Sequence, residues 1–413
     1  MKKILMMVTV IPVILLAQSS DLRTLITRAE HNSLGEAKSL SVQAAGMEAV
    51  SAEQAYAPTI DVGLNLSRTS PITMQSPGEV GTAFVKAQMN LFDGGRKSAT
   101  IAAKQYERQA AAYERQAFAK STALEVVRHY FTYKKFRATL QALRQRSHEL
   151  TAQLDRVRKL KKAGMTTRVA VDKLRAAYDG NRYAIENTHL AMENSLENLR
   201  LLSGMNVTSF RRNYLIEPHG IHFRPFEMVR ALRSKACAIG KNADAIESAY
   251  APQVNLSYTY SRFAFGDLAP GVPPGSMPDH RHAVQLSAGM RLYDGGKMGS
   301  QSESVRLRKL ALLAQAKHET RKQRMNFRLA GKRLRAVRAQ MRSGRSAVAA
   351  AKSTYAAVKK KYEAGLVENT TYLDALSGLT EAQARYQATR YDYEIAKAIY
   401  YFYAGKHPKR YIR

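Results

Sequence analysis

Tryptophan is missing from this sequence, and cysteine occurs once, at Cys237. A single cysteine excludes an intrachain disulfide, and its position far from the amino terminus excludes a lipid-modified N-terminal cysteine. We expect Cys237 to be a small, buried hydrophobic residue. A chain of 413 residues without tryptophan and with long polar helical stretches does not have the composition of two or three large globular cores. The sequence therefore predicts an elongated molecule.

Long apolar runs are also scarce. The longest, residues 4–16, follows two lysines and precedes the residues AQSS, a pattern typical of a secretory signal peptide cleaved near Ala17 or Ser19. The alternative is a single anchoring helix, but the run is shorter than the ~18 to 20 residues that cross a membrane. No other run approaches that length, so insertion into a membrane has to use β-strands. We assign residues 1–19 to a signal peptide.

Proline is absent from two stretches of 67 residues each, 96–162 and 297–363. Proline interrupts helices, so each stretch is free to form one helix, about 100 Å long at ~1.5 Å per residue. Acidic residues are few there: the first stretch has 17 Lys or Arg against 5 Asp or Glu, and the second has 19 against 3. Most of the net charge of +32 therefore lies in two predicted helices.

These two helices belong to a tandem duplication. A strand pattern, an Asp-Gly-Gly turn and a helical pattern occur twice, 201 positions apart, and the segment AYAPTIDVGLNLS recurs 194 positions later as AYAPQVNLSYTYS. The strand-to-helix turns are Asp93, Gly94, Gly95, Asp294, Gly295 and Gly296. Two long in-phase copies indicate two structural halves rather than a short-period solenoid. The predicted organisation is a first repeat at 20–204, a linker at 205–225, a second repeat at 226–405 and a tail at 406–413.

Each half has the same predicted order: helix, strand, loop, strand, long helix and return helix. The predicted ranges are helices at about 21–56, 96–162, 169–202, 226–250 and 297–363, a last helix through about 403, and strands at about 60–67, 82–92, 254–261 and 284–292, with a loop at 263–281.

All four strands alternate apolar and polar residues, so each has one apolar face. One interpretation is a small soluble sheet packed on helices. The other is a transmembrane sheet, since strands of about ten residues with one apolar face are typical of membrane barrels. Four strands cannot close a barrel, and open edges in lipid would leave backbone groups unpaired, so several chains would have to contribute. Three chains would give twelve strands around a water-filled lumen.

The doubled order of helix, strand, loop, strand, [FY]DGG, long helix, AG-[ML] end and return helix resembles the TolC family of outer-membrane efflux proteins. The resemblance covers essentially the whole chain after the signal segment. It implies an α+β membrane protein and a homotrimer, with long helical hairpins forming an α-barrel across the periplasm and a twelve-stranded transmembrane β-barrel in outer-membrane lipid. It also implies that the hairpin ends meet a periplasmic adaptor coupled to an inner-membrane transporter.

By this resemblance, the hairpin ends that dock the adaptor are the small-residue segments that follow the two long helices. They are Ala163, Gly164, Met165, Thr166, Ala364, Gly365, Leu366 and Val367. Small residues there would let a partner backbone approach closely. The alternative is that the glycines are ordinary helix caps, which does not explain their matching positions.

The resemblance also suggests residues that narrow the closed aperture. The run TTYLDAL is similar to the family's VDVLDA, which assigns Asp374 to one aperture carboxylate, although Thr371 stands where its acidic neighbour is usual. Tyr362 matches a position that helps to hold the aperture shut. Ala170 occupies the place of its acidic partner, with Asp172 two residues further on. The alternative is that Asp374 is a solvated carboxylate near a helix start.

Three interpretations of the basic helices remain open. They line a tunnel that favours anionic cargo, they form a solvated outer face, or they bind nucleic acid. A signal peptide argues against the last, so we expect no nucleic-acid partner. No nucleophile, metal-ligand or phosphate-loop spacing indicates an enzyme, a cofactor or a metal site, and His280-Arg281-His282 has the character of a polar loop. The predicted function is a passive exit duct for efflux or type I secretion; the alternative is a periplasmic coiled-coil interaction protein without a pore.

Overall fold

The computed structural model describes residues 21–73, 77–207, 209–268, 271–273 and 275–413. The predicted signal peptide, residues 1–19, lies outside the described residues. The elements are helices α1 (Leu22–Glu30), α2 (Ser33–Gln54), α3 (Arg96–Lys162), α4 (Arg168–Ser203), α5 (Glu227–Glu247), α6 (Lys297–Glu363) and α7 (Asn369–Tyr403), and strands β1 (Thr59–Arg68), β2 (Glu79–Phe92), β3 (Gln253–Gly266) and β4 (His280–Gly289).

The two proline-free stretches each form one helix of 67 residues, α3 and α6, with the predicted bounds. The order of elements repeats as predicted. After α1, the first half has α2, β1, β2, α3 and α4, and the second half has α5, β3, β4, α6 and α7 in the same order. Among the described residues, no helix has an apolar stretch long enough to span a membrane.

The described chain forms two compact units that do not follow the repeat boundaries. Unit 1 comprises the residues up to Ala37 together with Gln116–Phe226 and Arg321–Arg413. Unit 2 comprises Lys38–Arg115 and Glu227–Thr320. Each unit therefore contains parts of both repeats: unit 1 has the hairpin ends and unit 2 has all four strands.

The strands of unit 2 form one antiparallel sheet in the order β1-β2-β3-β4. In this register, Val62 lies opposite Val85, and Val85 lies opposite Tyr260. The apolar positions of neighbouring strands therefore share one face, which on β4 also includes His282, opposite Tyr260. That face is exposed: Leu64 and Leu66 have relative accessibilities of 84% and 87%. In the part of the chain that the structure describes, no further strand pairs with the outer edge of β1 or β4, so the sheet has two free edges.

Four predicted strand bounds are wrong. β2 begins at Glu79 rather than 82, and β4 begins at His280, inside the loop expected at 263–281. β3 continues through Phe263 to Gly266, because β2 pairs with it along its whole length, where we expected a loop from 263. β4 ends at Gly289, whereas the alternating pattern predicted a strand through Leu292. Its neighbour β3 begins only at Gln253, after a proline that cannot donate a ladder hydrogen bond, so residues 290–292 have no partner strand in this chain.

The first predicted helix is also divided. α1 ends at Glu30, and Asn32 caps the start of α2 by accepting a hydrogen bond from the Gly35 backbone N–H at 2.9 Å. The chain turns so tightly there that a Cβ at Gly35 would lie 2.2 Å from the Glu30 carbonyl oxygen. An asparagine cap followed by a close backbone approach ends one helix and starts the next.

The core of unit 1 includes the predicted linker and tail. Leu215 and Ile412 are buried and form an isolated antiparallel bridge. They pack in a cluster with Tyr130, Phe131 and Tyr401. The predicted linker and tail thus contribute to the core through the paired residues Leu215 and Ile412, and residues Pro408–Tyr411 of the tail form a short 3-10 helix.

The prediction for Cys237 is wrong, because its side chain is exposed. Its neighbours Ala236 and Ala238 are buried on α5. A helix turns by about 100° per residue, so two packed faces can leave the position between them open to solvent.

Candidate functional site at the hairpin ends

The strand-to-helix turns position the two long helices. In the first, the Asp93 carboxylate accepts hydrogen bonds from the backbone N–H groups of Gly95 at 3.2 Å and Lys97 at 2.9 Å. Gly94 and Gly95 have φ values of +67° and +89°, which favour glycine. Asp93 therefore caps the first turn of α3 while the glycines reverse the chain.

The second turn has the same geometry. The Asp294 carboxylate accepts hydrogen bonds from the backbone N–H groups of Gly296 at 3.0 Å and Met298 at 2.9 Å. The φ values of Gly295 and Gly296 are +72° and +80°. All six predicted turn residues thus lie where each strand pair leads into its long helix.

At the other end of α3, the first hairpin end (residues 163–166) reverses the chain through Gly164, whose φ is +73°. The Gly164 N–H donates to the Lys161 carbonyl at 3.1 Å, and the Met165 N–H donates to the Leu160 carbonyl at 2.9 Å. This pair of bonds is a Schellman motif, which satisfies the last carbonyls of the helix.

The second hairpin end (residues 364–367) repeats this cap. Gly365 has a φ of +76°; its N–H donates to the Tyr362 carbonyl at 3.1 Å, and the Leu366 N–H donates to the Lys361 carbonyl at 2.8 Å. At Gly164 and Gly365 alike, an added Cβ would meet no atom within 4 Å. Both glycines therefore face open space.

The two hairpin ends lie together in unit 1 and border one open cleft of about 590 Å³, here called the tip cleft. It is lined by Arg156, Val157, Leu160, Met165, Thr166, Thr167, Val169, Ala170, Lys173, Tyr362, Glu363, Ala364, Gly365, Val367, Glu368, Asn369 and Thr370. Six of the predicted site residues thus meet at one place, together with Ala170: Met165, Thr166, Tyr362, Ala364, Gly365 and Val367. The other three residues of the hairpin ends, Ala163, Gly164 and Leu366, are not part of the lining.

A polar cluster ties α3 to α6 beside the cleft. The Glu149 carboxylate accepts hydrogen bonds from the Tyr355 hydroxyl at 2.9 Å and the Lys359 ammonium at 3.1 Å. Burial favours the neutral acid, but these hydrogen bonds outweigh it and lower the pKa of Glu149. Burial raises the pKa of Tyr355, and its hydrogen bonds act in the same direction. At neutral pH, Glu149 is therefore a carboxylate held by both partners.

Tyr362 makes a second tie. The Arg156 guanidinium lies 5.8 Å from the Tyr362 ring centroid and donates a 3.0 Å hydrogen bond to the Glu363 carbonyl. The Tyr362 ring stacks on Tyr372 with 4.7 Å between centroids. Burial raises the pKa of Tyr372 to about 12, so both rings are neutral phenols at physiological pH. A third tie joins the return helices, because the Asn369 amide donates to the Ala170 carbonyl at 3.2 Å.

The two predicted aperture residues, Tyr362 and Asp374, have different surroundings. Tyr362 is packed in the cluster just described, whereas Asp374 is exposed on α7. Asp172 pairs with Arg168 on its own helix, 3.6 Å away, rather than with Tyr362. In this structure the acidic partner expected for Tyr362 is replaced by a cation, Arg156.

Sequence reasoning missed Glu149, Arg156, Tyr355, Lys359 and Tyr372. A signal existed: the apolar seam of α3, which contains Leu150 and Leu154, continues in α6 as alanine and tyrosine at the same register. A tyrosine at a seam position needs a partner for its hydroxyl. Which carboxylate would supply that partner depends on how the two helices pack.

Comparisons with known proteins follow the same repeats. A family model described as "Outer membrane efflux protein" matches residues 27–205 and 228–406. Comparison with curated proteins gives no significant match.

Several solved structures share the fold. The chain superposes on the outer membrane protein VceC of Vibrio cholerae with a TM-score of 0.81 and 16% identity, covering 93% of this chain and 96% of VceC. The values for the CmeC outer membrane channel of Campylobacter jejuni are 0.82 and 14%, with 93% and 85% covered. Those for the open state of the MtrE outer membrane channel of Neisseria gonorrhoeae are 0.78 and 16%, with 94% and 90% covered.

Proposed function

This chain belongs to the outer membrane efflux protein family, and from that premise we propose that three copies form one exit duct, with the hairpin ends as its gated periplasmic mouth. The family places the protein in the outer membrane and among transport proteins rather than enzymes. Its chemistry is therefore steric and electrostatic control of passage, without a covalent step.

One observation supports the trimer most directly: a four-stranded sheet with an exposed apolar face and two free edges. Free edges carry unpaired N–H and C=O groups, which cannot stay unpaired in lipid. Pairing β4 of each copy with β1 of the next removes every edge, and three copies give a closed sheet of twelve strands. The exposed Leu64 and Leu66 then contact outer-membrane lipid.

The hairpin ends fit the docking of a periplasmic adaptor that is coupled to an inner-membrane transporter. Gly164 and Gly365 face open space, so a partner backbone can approach them without meeting a side chain. The residues that follow them, Met165 and Leu366, are exposed at 73% and 74%, which provides an apolar contact beside each glycine.

The ties between α3 and α6 fit the closed state of the mouth. Glu149 with Tyr355 and Lys359, and Arg156 with Tyr362 and the Glu363 carbonyl, hold the two hairpins of one chain together beside the tip cleft. Opening requires the hairpins to separate, so an adaptor that binds the separated arrangement more tightly shifts the population toward the open duct. The exposed Asp374 is proposed to face the aperture.

Single-channel recording in a planar lipid bilayer tests this function. We expect the purified trimer to give a small, stable conductance, and Arg156→Ala combined with Glu149→Gln to give a larger one, because one tie is removed and the other loses its negative charge. Arg158→Ala is the matched control, since Arg158 forms its ion pair along its own helix, with Asp155 at 3.5 Å. Folded trimer without any conductance would contradict the duct and favour the periplasmic interaction protein.

The same recordings, made under a salt gradient, decide between two of the interpretations of the basic helices. Anion selectivity would place the excess of Lys and Arg on α3 and α6 along the lumen. Cation selectivity would place it on the outer surface, or would indicate that Asp374 dominates at the aperture.

A further inference from the structure

In unit 2, each residue of the first repeat has an equivalent in the second repeat. The equivalent lies 194 positions later for α2 and β1 and 201 positions later for β2 and α3, and side-chain contacts agree with both offsets. Gln105 donates a 3.2 Å hydrogen bond to Glu53 between α3 and α2. Adding 201 and 194 respectively gives Arg306 and Glu247, which form the same contact between α6 and α5 at 2.9 Å. Likewise, Gly46 faces Arg108, and their equivalents Gly240 and Lys309 face each other. The repeat can therefore be used to transfer geometry from one half to the other.

The first repeat contacts the second repeat where β2 pairs with β3, and this boundary is here called the seam between repeats. It occurs once inside the chain. There Asn90 lies directly opposite Asn255, and the two amides share a 2.9 Å hydrogen bond. The next such seam joins the second repeat of one copy to the first repeat of another. Its equivalent residues are Arg291, from Asn90 plus 201, and Asp61, from Asn255 minus 194. A neutral amide pair inside the chain thus corresponds to one basic and one acidic residue on the two free edges.

The transferred register agrees with the side-chain pattern. It places Met290 opposite Val62 and Ala288 opposite Leu64 of the next copy, so the exposed apolar positions of both edges fall on one face. A shift by one residue would put them on opposite faces. The register also extends β4 through residues 290–292, which have no strand partner in the single chain, and so completes the strand that the alternating pattern predicts.

The helices beside the seam also differ between its two versions, being polar inside the chain and apolar at the equivalent outer surfaces. Inside the chain the facing positions are polar: Ser234 donates to Gln109 at 2.9 Å, and Lys241 and Tyr106 lie further along the same two helices, α5 and α3. The equivalent positions on the two outer surfaces are apolar and exposed, namely Leu40 (56%), Leu310 (58%), Met47 (72%) and Leu307 (56%). Exposed apolar residues that correspond to a buried seam indicate that another protein surface covers them.

We propose that neighbouring copies of this chain cover these edges in one fixed register. Arg291 of each copy pairs with Asp61 of the next copy, and Leu310 of each copy packs on Leu40 of the next. The inference rests on the proposed trimer and specifies its interface. Asp61 lies opposite Lys86 within its own sheet, so the carboxylate stands between two basic residues, one from each copy. On the polar face of the strands the ion pair is partly solvated; its main effect is to fix register, while the leucines contribute the apolar contact.

Disulfide trapping tests the register. Cys237 is the only native cysteine, so Cys237→Ser gives a clean background. In it, Asp61→Cys with Arg291→Cys places two thiols on directly opposed residues, whose Cα separation of about 4.5 to 5.5 Å suits a disulfide. We expect mild oxidation to link most of the protein into covalent dimers and trimers. Asp61→Cys with Met290→Cys is the matched control, because its side chains point to opposite faces and should not link.

Charge variants test the ion pair. Arg291→Glu should lower the temperature at which the trimer dissociates by several degrees, whereas Asp61→Asn with Arg291→Asn recreates the internal amide pair and should restore most of that loss. If the wild-type protein is a trimer and the control pair links while Asp61→Cys with Arg291→Cys does not, this register is overturned and the duct is left intact. No trimer of the wild-type protein in membranes would overturn the duct itself, and this interface with it.

Discussion

The two strand-to-helix turns have nearly the same backbone but different surroundings. At the first, Asp93 is 4% exposed, and a Cβ on Gly94 would lie 2.1 Å from the Ala251 Cβ and 2.8 Å from the Ser248 carbonyl oxygen. At the second, a Cβ on Gly295 would meet no atom within 4 Å. The first turn is packed against the second repeat of the same chain. At the second turn, Asp294 accepts a 2.8 Å hydrogen bond from the Tyr250 hydroxyl of its own repeat, but no described residue fills the space beside Gly295.

This difference shows which surface a single chain leaves incomplete. By the repeat offsets, the residue equivalent to Ala251 is Ala57, in the first repeat. In the proposed assembly, Ala57 of the next copy would occupy the space beside Gly295 that Ala251 occupies beside Gly94. The duplication thus supplies one packed seam within the chain and leaves one for assembly.

The largest expected effect separates these two glycines. Gly94→Ala forces a methyl group into Ala251 and strains a left-handed backbone, so we expect a loss of folding stability above about 3 kcal/mol. Gly295→Ala has only the backbone strain in the single chain, about 1 to 2 kcal/mol, and should mainly lower the yield of trimer. Urea denaturation in detergent measures the first effect and gel filtration measures the second.

Gly180→Ala serves as the control for this comparison. It lies within α4, where no atom is within 4 Å of an added Cβ, and alanine favours a helix over glycine. Its stability should stay the same or rise. Equal losses at Gly94 and Gly295 would contradict the difference in packing between the two turns.

The hairpin ends provide the opposite case, because there the two repeats have the same cap and the same open surroundings. Gly164→Leu and Gly365→Leu should each abolish export while trimers remain in the membrane, since the added side chain blocks the approach of the adaptor. Cell survival with a toxic pump substrate, together with immunoblots of membrane trimers, measures both properties. Gly180→Leu is the control, and unchanged export in the two end variants would remove the glycines as docking positions.

The smallest effect concerns the contact between the repeats beside the tip cleft. The pKa of Glu149 is lowered in the folded protein, so its ties to Tyr355 and Lys359 are fully present above the unfolded pKa of about 4.3 and are lost as pH falls through the lower folded value. Channel conductance should therefore rise as the solution becomes more acidic than about pH 4.3. Glu149→Gln should remove this acid-induced rise, and a rise of the same size in that variant would assign the response to another group.

Much of the fold follows from local pattern. Proline-free stretches predicted α3 and α6 to the residue, since helix interiors exclude proline, and the Asp-Gly-Gly turns were found because only glycine adopts their positive φ readily. The end of β4 and the break between α1 and α2 were not predicted. The first depends on a partner strand and the second on a backbone approach within one turn, and neither contact has a periodic signature.

The sequence by itself determined the duplication, the element order, the hairpin ends and the excess of positive charge, because each is expressed in periodicity, composition or spacing along the chain. Only the tertiary structure decided that Arg156 and Glu149, rather than Asp172 or Asp374, hold α3 against α6. It alone also decided that one Asp-Gly-Gly turn is packed and the other open. The physical reason is that the partners of a side chain depend on which helix faces pack together in space. Nothing in the sequence marks residues about 200 positions apart as neighbours.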